Sequence, residues 1–371
     1  MERHHRVVVA LLTLVALVLG TAASATPRRD TPVGADRTLT VMTRNVYFGA
    51  DLTPVITAVA SGAPGEEVLA AAAGAYAEAA ASDFAFRAEA LADEIATTRP
   101  DLVGVQESTV WTATPLDPSQ PSLLLDVDFL AAIQKALADR GLHYEVVESV
   151  EGFDATLPLP VPGINALAGL TISDVLLRDA SLPAADLRVT GVQSGTYATS
   201  VPDLVVPGVG ALPFPRQWIA ADVTVRGVDA RVVTTHLESV SGAVRVGQAQ
   251  ELLGGPADTD RPTLVIGDLN SQVDGVTDDP PLPGPVPDAA HLLVLAGFDD
   301  LGPGGLTCCQ DADLRNPVSD LSSRIDLVLG RGGFTVVDGT VTGAQPLAPS
   351  PLGVRYGSDH AGVTATVVLP R

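Results

Sequence analysis

Residues 263–270 read TLVIGDLN: a β-branched and aliphatic run, then Gly267, Asp268, Leu269 and Asn270. Such a run favours a core strand, and its polar residues begin where that strand would meet solvent. Rigid element ends of this kind are where chemical groups are usually held. Five further motifs have the same character: Arg44-Asn45-Val46, Gln106-Glu107, Thr234-Thr235-His236-Leu237, Arg324-Ile325-Asp326 and Ser358-Asp359-His360. Most set a polar side chain at the edge of an apolar run.

Outward from these motifs, Thr38 to Tyr47 reads as a buried first strand. An alanine-rich helical stretch follows from Pro64 to Thr98, with Asp83 as a cap for its later half and Pro100 as its stop. Asp101 to Gln106 is a short strand ending in Glu107. Asp128 to Arg140 is an amphipathic helix halted by Gly141, with a strand near Tyr144 to Val147. Residues 151–170 and 200–215, rich in proline, glycine and aliphatics, read as loops. Strands are expected at Thr171–Leu177, Leu187–Val192, Trp218–Val225, Ala230–Thr235 and Thr263–Ile266, and helices at Arg245–Leu253 and Ala289–Ala296. Asp274 to Pro287 reads as an acidic, proline-containing loop. Ile325–Leu329, Phe334–Val341 and Val363–Leu369 close the chain. Two sheets packed face to face with helices outside, an α+β arrangement, satisfy this order in one domain over 37–371.

The N-terminus sets the expected compartment. Arg3 and Arg6 precede the thirteen-residue run Val7–Leu19, and Ala23-Ser24-Ala25 follows. A basic start, a short apolar run and a small-x-small site make a secretory signal peptide over 1–25. A bilayer-spanning helix needs roughly 20 apolar residues. Residues 26–36 form a polar leader, expected to be flexible, and the mature chain is expected to be secreted. Removing Arg3, Arg6 and Glu2 takes the net charge from −22 to −23. So acidic a chain repels polyanions at long range, which lowers the expectation of a broad nucleic-acid groove. The cysteines, Cys308 and Cys309, are adjacent and cannot staple distant segments; a vicinal ring stiffening one loop is the preferred reading.

The motif residues suit phosphate-ester hydrolysis. A hard cation such as Mg²⁺ is held by one or two carboxylates plus water, and Glu107 and Asp359 are the candidate ligands. Asp268 is placed to activate water. Asn270 would hold a phosphoryl oxygen or that water, and Asn45 is an uncharged orienting group. His236 and His360 can donate to phosphate oxygens near neutral pH, and Asp326 would fix the tautomer of His360 and raise its pKa.

The ordered set resembles the endonuclease/exonuclease/phosphatase superfamily, from about Thr38 to Val368, with Ser358-Asp359-His360 the most telling motif. The resemblance implies a four-layer α/β/β/α sandwich with its site at one rim and a requirement for Mg²⁺ or a similar ion such as Mn²⁺. It implies Asp268 as water-activating residue, Asp326 and His360 as a dyad and Glu107 as metal ligand. Asn45, His236, Asn270 and Asp359 complete the implied site. Arg216, before the Trp218 strand, is similar to a substrate-side arginine of the family and is expected to contact phosphate. The expected function is hydrolysis of a phosphoester, a phosphodiester ahead of a monoester. The alternatives are a secreted nuclease and a non-catalytic binding module on the same fold, which should lack a catalytic group. Residues 157–170 and 201–214 are apolar enough to contact lipid or a membrane surface. Nothing in the sequence calls for an obligate protein partner.

Overall fold

The computed structural model describes residues 37–117, 119, 125–161, 164–206 and 208–370; the expected signal peptide and leader lie outside them. Two large mixed sheets dominate. The seven-stranded sheet runs in the order Thr335–Thr342, Gly362–Val368, Thr38–Asn45, Leu102–Pro115, Ile164–Asp179, Tyr144–Val161, with the short Val127–Asp128 strand paired to Leu102–Pro115. The six-stranded sheet runs Asp299–Asp300, Asp326–Arg331, Thr263–Asp268, Val228–His236, Gln217–Val225, Leu187–Thr196. Each sheet has one parallel pair near its middle, Thr38–Asn45 with Leu102–Pro115 and Val228–His236 with Thr263–Asp268.

The central strands are buried on both faces, which is why they read as continuous apolar runs. Leu264 and Ile266 point into the inter-sheet layer with Leu39, Val41, Leu102 and Val232, whereas the intervening Val265 packs with Ala249, Leu252 and Leu293 of the outer helices. On the other side Val103 and Val105 meet Phe84, Leu91 and Ile95 of the Phe84–Thr98 helix and Phe129 and Ile133 of the Phe129–Asp139 helix. Each fully buried aliphatic or aromatic side chain contributes about 1.5–3 kcal/mol, so the three apolar layers lock the four-layer α/β/β/α order.

Glycine matters where sheets or neighbouring strands approach most closely. A Cβ on Gly104 would lie 2.3 Å from Thr234 Oγ1 in the opposite sheet, and one on Gly267 would lie 1.9 Å from the Thr235 carbonyl oxygen.

Several expected boundaries change. The helical stretch from Pro64 to Thr98 is two helices, Gly65–Ala81 and Phe84–Thr98, and a short Thr53–Ala60 helix precedes them. Asp83 does cap, accepting from the Phe86 N–H. Residues 151–170 are not a loop: Tyr144–Val161 and Ile164–Asp179 form a long antiparallel hairpin in which Leu157 faces Ala168 and Pro158 faces Leu167. Its prolines are tolerated because Tyr144–Val161 is the edge strand of its sheet. Within 200–215, Leu204–Val206 and Gly210–Leu212 pair as a small hairpin. No helix among the described residues is long and apolar enough to cross a membrane.

Candidate active site

Sheet register assembles the site. At one end of the six-stranded sheet His236 pairs with Asp268 and Asp268 pairs with Asp326, so three motif residues lie side by side on three adjacent strands. At the matching end of the other sheet Asn45 pairs with Gln106. Gln106 ties the sheets together: it accepts from Thr43 Oγ1 at 3.0 Å and donates to Thr234 Oγ1 at 3.2 Å.

Glu107 does not end its strand, as its motif suggested. The strand continues to Pro115, and its pairing with Ile164–Asp179 skips between Val105 and Ser108. Glu107 sits in this bulge at φ +59°, a left-handed conformation uncommon for a side-chain-bearing residue. A bulge of this kind re-aims one side chain out of the pleat. Glu107 accepts from Asn45 Nδ2 at 2.9 Å and from the Phe48 N–H at 3.2 Å. The same Asn45 amide donates to Asp268 Oδ2 at 3.2 Å, while Asn45 Oδ1 accepts from the Tyr47 N–H at 2.9 Å. Asn45 therefore bridges Glu107 and Asp268 across the two sheets.

His360 is the second junction. Its Nδ1 lies 2.8 Å from Asp326 Oδ2 and its Nε2 lies 3.7 Å from Asp268 Oδ2. Burial alone would lower its pKa, but the negative charges of Asp326, Asp268 and Asp359 win and hold it well above the ordinary value. Ser358 fastens the loop, donating to the Asn45 carbonyl at 2.8 Å and accepting from the His360 N–H at 3.1 Å. His236 behaves oppositely. Burial and the Arg216 charge push its pKa down to about 3, so its imidazole is neutral; its Nε2 lies 3.5 Å from Asp268 Oδ2. Asn270, at φ +48°, donates through its N–H to Asp268 Oδ1 at 2.9 Å and through Nδ2 to the Leu237 carbonyl at 2.9 Å.

Arg216 reaches the site but faces protein. Its Nη1 lies 3.1 and 3.3 Å from the two ring nitrogens of His236, Nη2 donates to Ser239 Oγ at 3.0 Å, and Nε lies 3.5 Å from Glu238.

Two buried guanidinium groups set the loops. Arg44 donates to the carbonyls of His360 at 2.6 Å and Asn45 at 3.0 Å, and pairs with Glu94 at 2.9 Å. Arg87, fully buried among Tyr47, Phe84 and Phe129, donates to the carbonyls of Val46, Tyr47 and Gly357. They hold together the loops bearing Asn45 and Asp359.

Asp174 was missed. It lies on the strand facing the Glu107 bulge, and burial raises its pKa to about 8 against the opposing pull of Arg216. Its Oδ2 has no hydrogen-bond partner among the described residues. The signal is in the sequence: a lone acid inside the apolar run Thr171–Leu177, TISDVLL.

The cysteines also lie close to the site. They form a disulfide, and Cys309 Sγ lies 3.8 Å from His360 Nε2. Cys308, Cys309 and His360 could in spacing hold an ion, as could Asp268, Asp326 and His360. A disulfide offers no thiolate, however, and the Nδ1 of His360 is already engaged by Asp326. Carboxylate oxygens suit a hard ion better. Burial and the charge of Asp359 push Glu107 up to about 7, and burial raises Asp359 in turn. Two half-buried acids, the charge of one raising the other, fit a divalent cation, with Glu107 and Asp359 as the residues that would hold it.

This fold and site define a class, and the sequence comparison agrees: the chain belongs to the endonuclease/exonuclease/phosphatase family, whose model matches residues 45–360. Its members are generally metal-dependent phosphoesterases. An endonuclease/exonuclease/phosphatase family protein from Bacteroides thetaiotaomicron is similar at 15% identity, covering 90% of this chain and 95% of that one, with a TM-score of 0.53. A mannosyl-6-phosphatase from the same organism is 16% identical over 89% and 100% of the two chains, TM-score 0.53. D. rerio TDP2, complexed with single-strand DNA product, is 18% identical over 90% and 99%, TM-score 0.47. No curated protein matches the sequence.

Proposed function

We propose that the protein is a secreted phosphodiesterase that uses a divalent cation, Mg²⁺ or Mn²⁺, to hydrolyse a phosphate ester by direct attack of water. The observation that carries this reading is Asp268. It is buried, it faces His236 and His360 at 3.5 and 3.7 Å, and Asn45 donates to it at 3.2 Å. That arrangement holds a carboxylate oxygen fixed beside the two imidazoles.

The roles follow from charge. The cation, held by Glu107 and Asp359, would neutralise phosphoryl oxygens and supply Lewis-acid stabilisation. Asp268 takes the proton as the water oxygen bonds phosphorus. The P–O bond to the leaving alcohol breaks with its electron pair staying on that oxygen, which takes a proton from solvent. His360, kept cationic by Asp326, donates to the charge that builds on the phosphoryl group. Neutral His236 offers an N–H without repelling the cation. Asn270, with its N–H fixed on Asp268, limits how that carboxylate can turn.

Two features favour a small or lipidic ester over a polynucleotide: the net charge of −22 and the turning of Arg216 toward His236 rather than outward. Every residue type expected of a catalytic site is in place, which disfavours a non-catalytic module.

Bis(p-nitrophenyl) phosphate tests the reading. Turnover should vanish with chelator and return with Mg²⁺ or Mn²⁺, and Glu107→Gln should weaken the metal response without unfolding the protein. Full turnover in a verified metal-free sample would refute it.

A further inference from the structure

The strongest feature outside the site is an apolar cavity of about 90 Å³ between the Thr53–Ala60 and Gly65–Ala81 helices, the outer half of the long hairpin, and the small 204–212 hairpin. A water requires roughly 10–15 Å³ of such space, so the cavity has room for several. It offers them nothing to bond. Two polar groups on its walls are spoken for: Trp111 Nε1 donates to the Phe48 carbonyl at 2.7 Å, and Tyr76 Oη donates to the Leu125 carbonyl at 3.3 Å. Small residues make the space, with Ala72, Ala155 and Ala168 standing where longer side chains would fill it. Ile56, a wall residue, is 42% exposed, which puts part of the wall at solvent.

Two contacts link the cavity wall to the site. Phe48 accepts from cavity-lining Trp111 through its carbonyl and donates through its N–H to Glu107. On the other flank, cavity-lining Phe214 lies under the Arg216 guanidinium at 5.4 Å, and Arg216 touches His236. One residue on each flank thus separates hydrocarbon surface from the groups proposed to hold phosphate.

We infer that this cavity receives the hydrocarbon tail of the substrate, so that the protein acts on an amphiphilic phosphodiester carrying a single aliphatic chain. The inference rests on the phosphodiesterase reading and names its substrate class. A cavity beside a charged site selects a molecule with those two characters joined over a short distance. Its walls enclose one chain rather than presenting a flat face to a bilayer.

The test uses p-nitrophenyl alkyl phosphates from methyl to dodecyl, kept below their aggregation concentrations and assayed with Mg²⁺. Burying a methylene is worth about 0.8 kcal/mol. kcat/KM should therefore rise by up to about fourfold per methylene until the cavity is full, mainly through KM. Ala72→Leu, on a partly exposed helix position, and Ala155→Leu should each cut the dodecyl-to-methyl ratio of kcat/KM at least tenfold. Calorimetry of dodecyl phosphate against inorganic phosphate, in chelator, reads the cavity without turnover. Normal turnover with no chain-length dependence would overturn the inference and leave the phosphodiesterase reading standing. Absence of turnover on every ester, with dodecyl phosphate still bound in the cavity, would overturn that reading instead. A long-chain advantage appearing only above aggregation or with phosphatidylcholine vesicles would mean contact with a lipid surface, and would overturn the single-tail inference.

Discussion

Asp326→Asn removes one charge and almost no volume. Asp326 is fully buried and its Oδ2 lies 2.8 Å from His360 Nδ1, so the loss falls on a charge-assisted hydrogen bond. Such bonds contribute about 1.5–3 kcal/mol, which sets a floor of about ten- to a hundredfold in turnover. If the asparagine presents its NH₂ to Nδ1 and fixes the wrong tautomer, the loss grows toward the about 10²–10⁴-fold typical of losing a general acid or base. His360→Ala should fall in that range too, and the double variant should lose little more, because residues acting as a unit are non-additive. The pH profile carries an independent signature. Asp326 helps hold His360 above its ordinary value of 6.5, so the imidazolium and its stabilising pair are complete below about pH 6.5 and lost as pH rises through the raised native value. In Asp326→Asn the alkaline limb of kcat/KM should retreat toward lower pH. The assay is initial rates from pH 5 to 10 beside thermal unfolding of each variant. A fully additive double variant, or an alkaline limb that stays in place, would refute the dyad.

His236 should act on stability in the opposite direction. Its native pKa is depressed to about 3, so the unfolded state takes up its proton first and stability falls between about pH 6.5 and 3, by up to about 1.4 kcal/mol per pH unit. Urea titrations should show that His236→Gln flattens this slope relative to wild type; an unchanged slope would mean the imidazole is charged in the folded protein. Arg87→Met leaves the carbonyls of Val46, Tyr47 and Gly357 without their donor. At about 1–3 kcal/mol per unsatisfied buried group, it should lower the urea midpoint by more than any active-site variant. Gly267→Ala would drive a Cβ to 1.9 Å from the Thr235 carbonyl oxygen, between the strands carrying His236 and Asp268. It should lose activity and stability together, and retention of either at the wild-type level would contradict the close approach.

The polar strand ends were legible in the sequence because each sits where an apolar run stops, and register then brings them together. Asp268 lies between His236 and Asp326 only because three strands align, a long-range fact that no local pattern contains. The Gln106-Glu107 motif explains the placement of Glu107 only in part. Its strand runs on to Pro115, and what aims the carboxylate is a bulge with φ +59°, a conformation with no marker in Gln106-Glu107. The long hairpin was hidden by its own prolines, which suggest a loop unless the strand is known to be an edge. A single acid in a strand usually faces solvent, and only the packing of Arg216 and Glu107 around Asp174 shows otherwise.

The central claim is that Asp268 activates the attacking water. The measurement is kcat for bis(p-nitrophenyl) phosphate with saturating Mg²⁺ in Asp268→Asn, taken beside its unfolding midpoint. A fall of at least about 10²-fold with the midpoint close to wild type is the predicted result; wild-type turnover in the folded variant would contradict it.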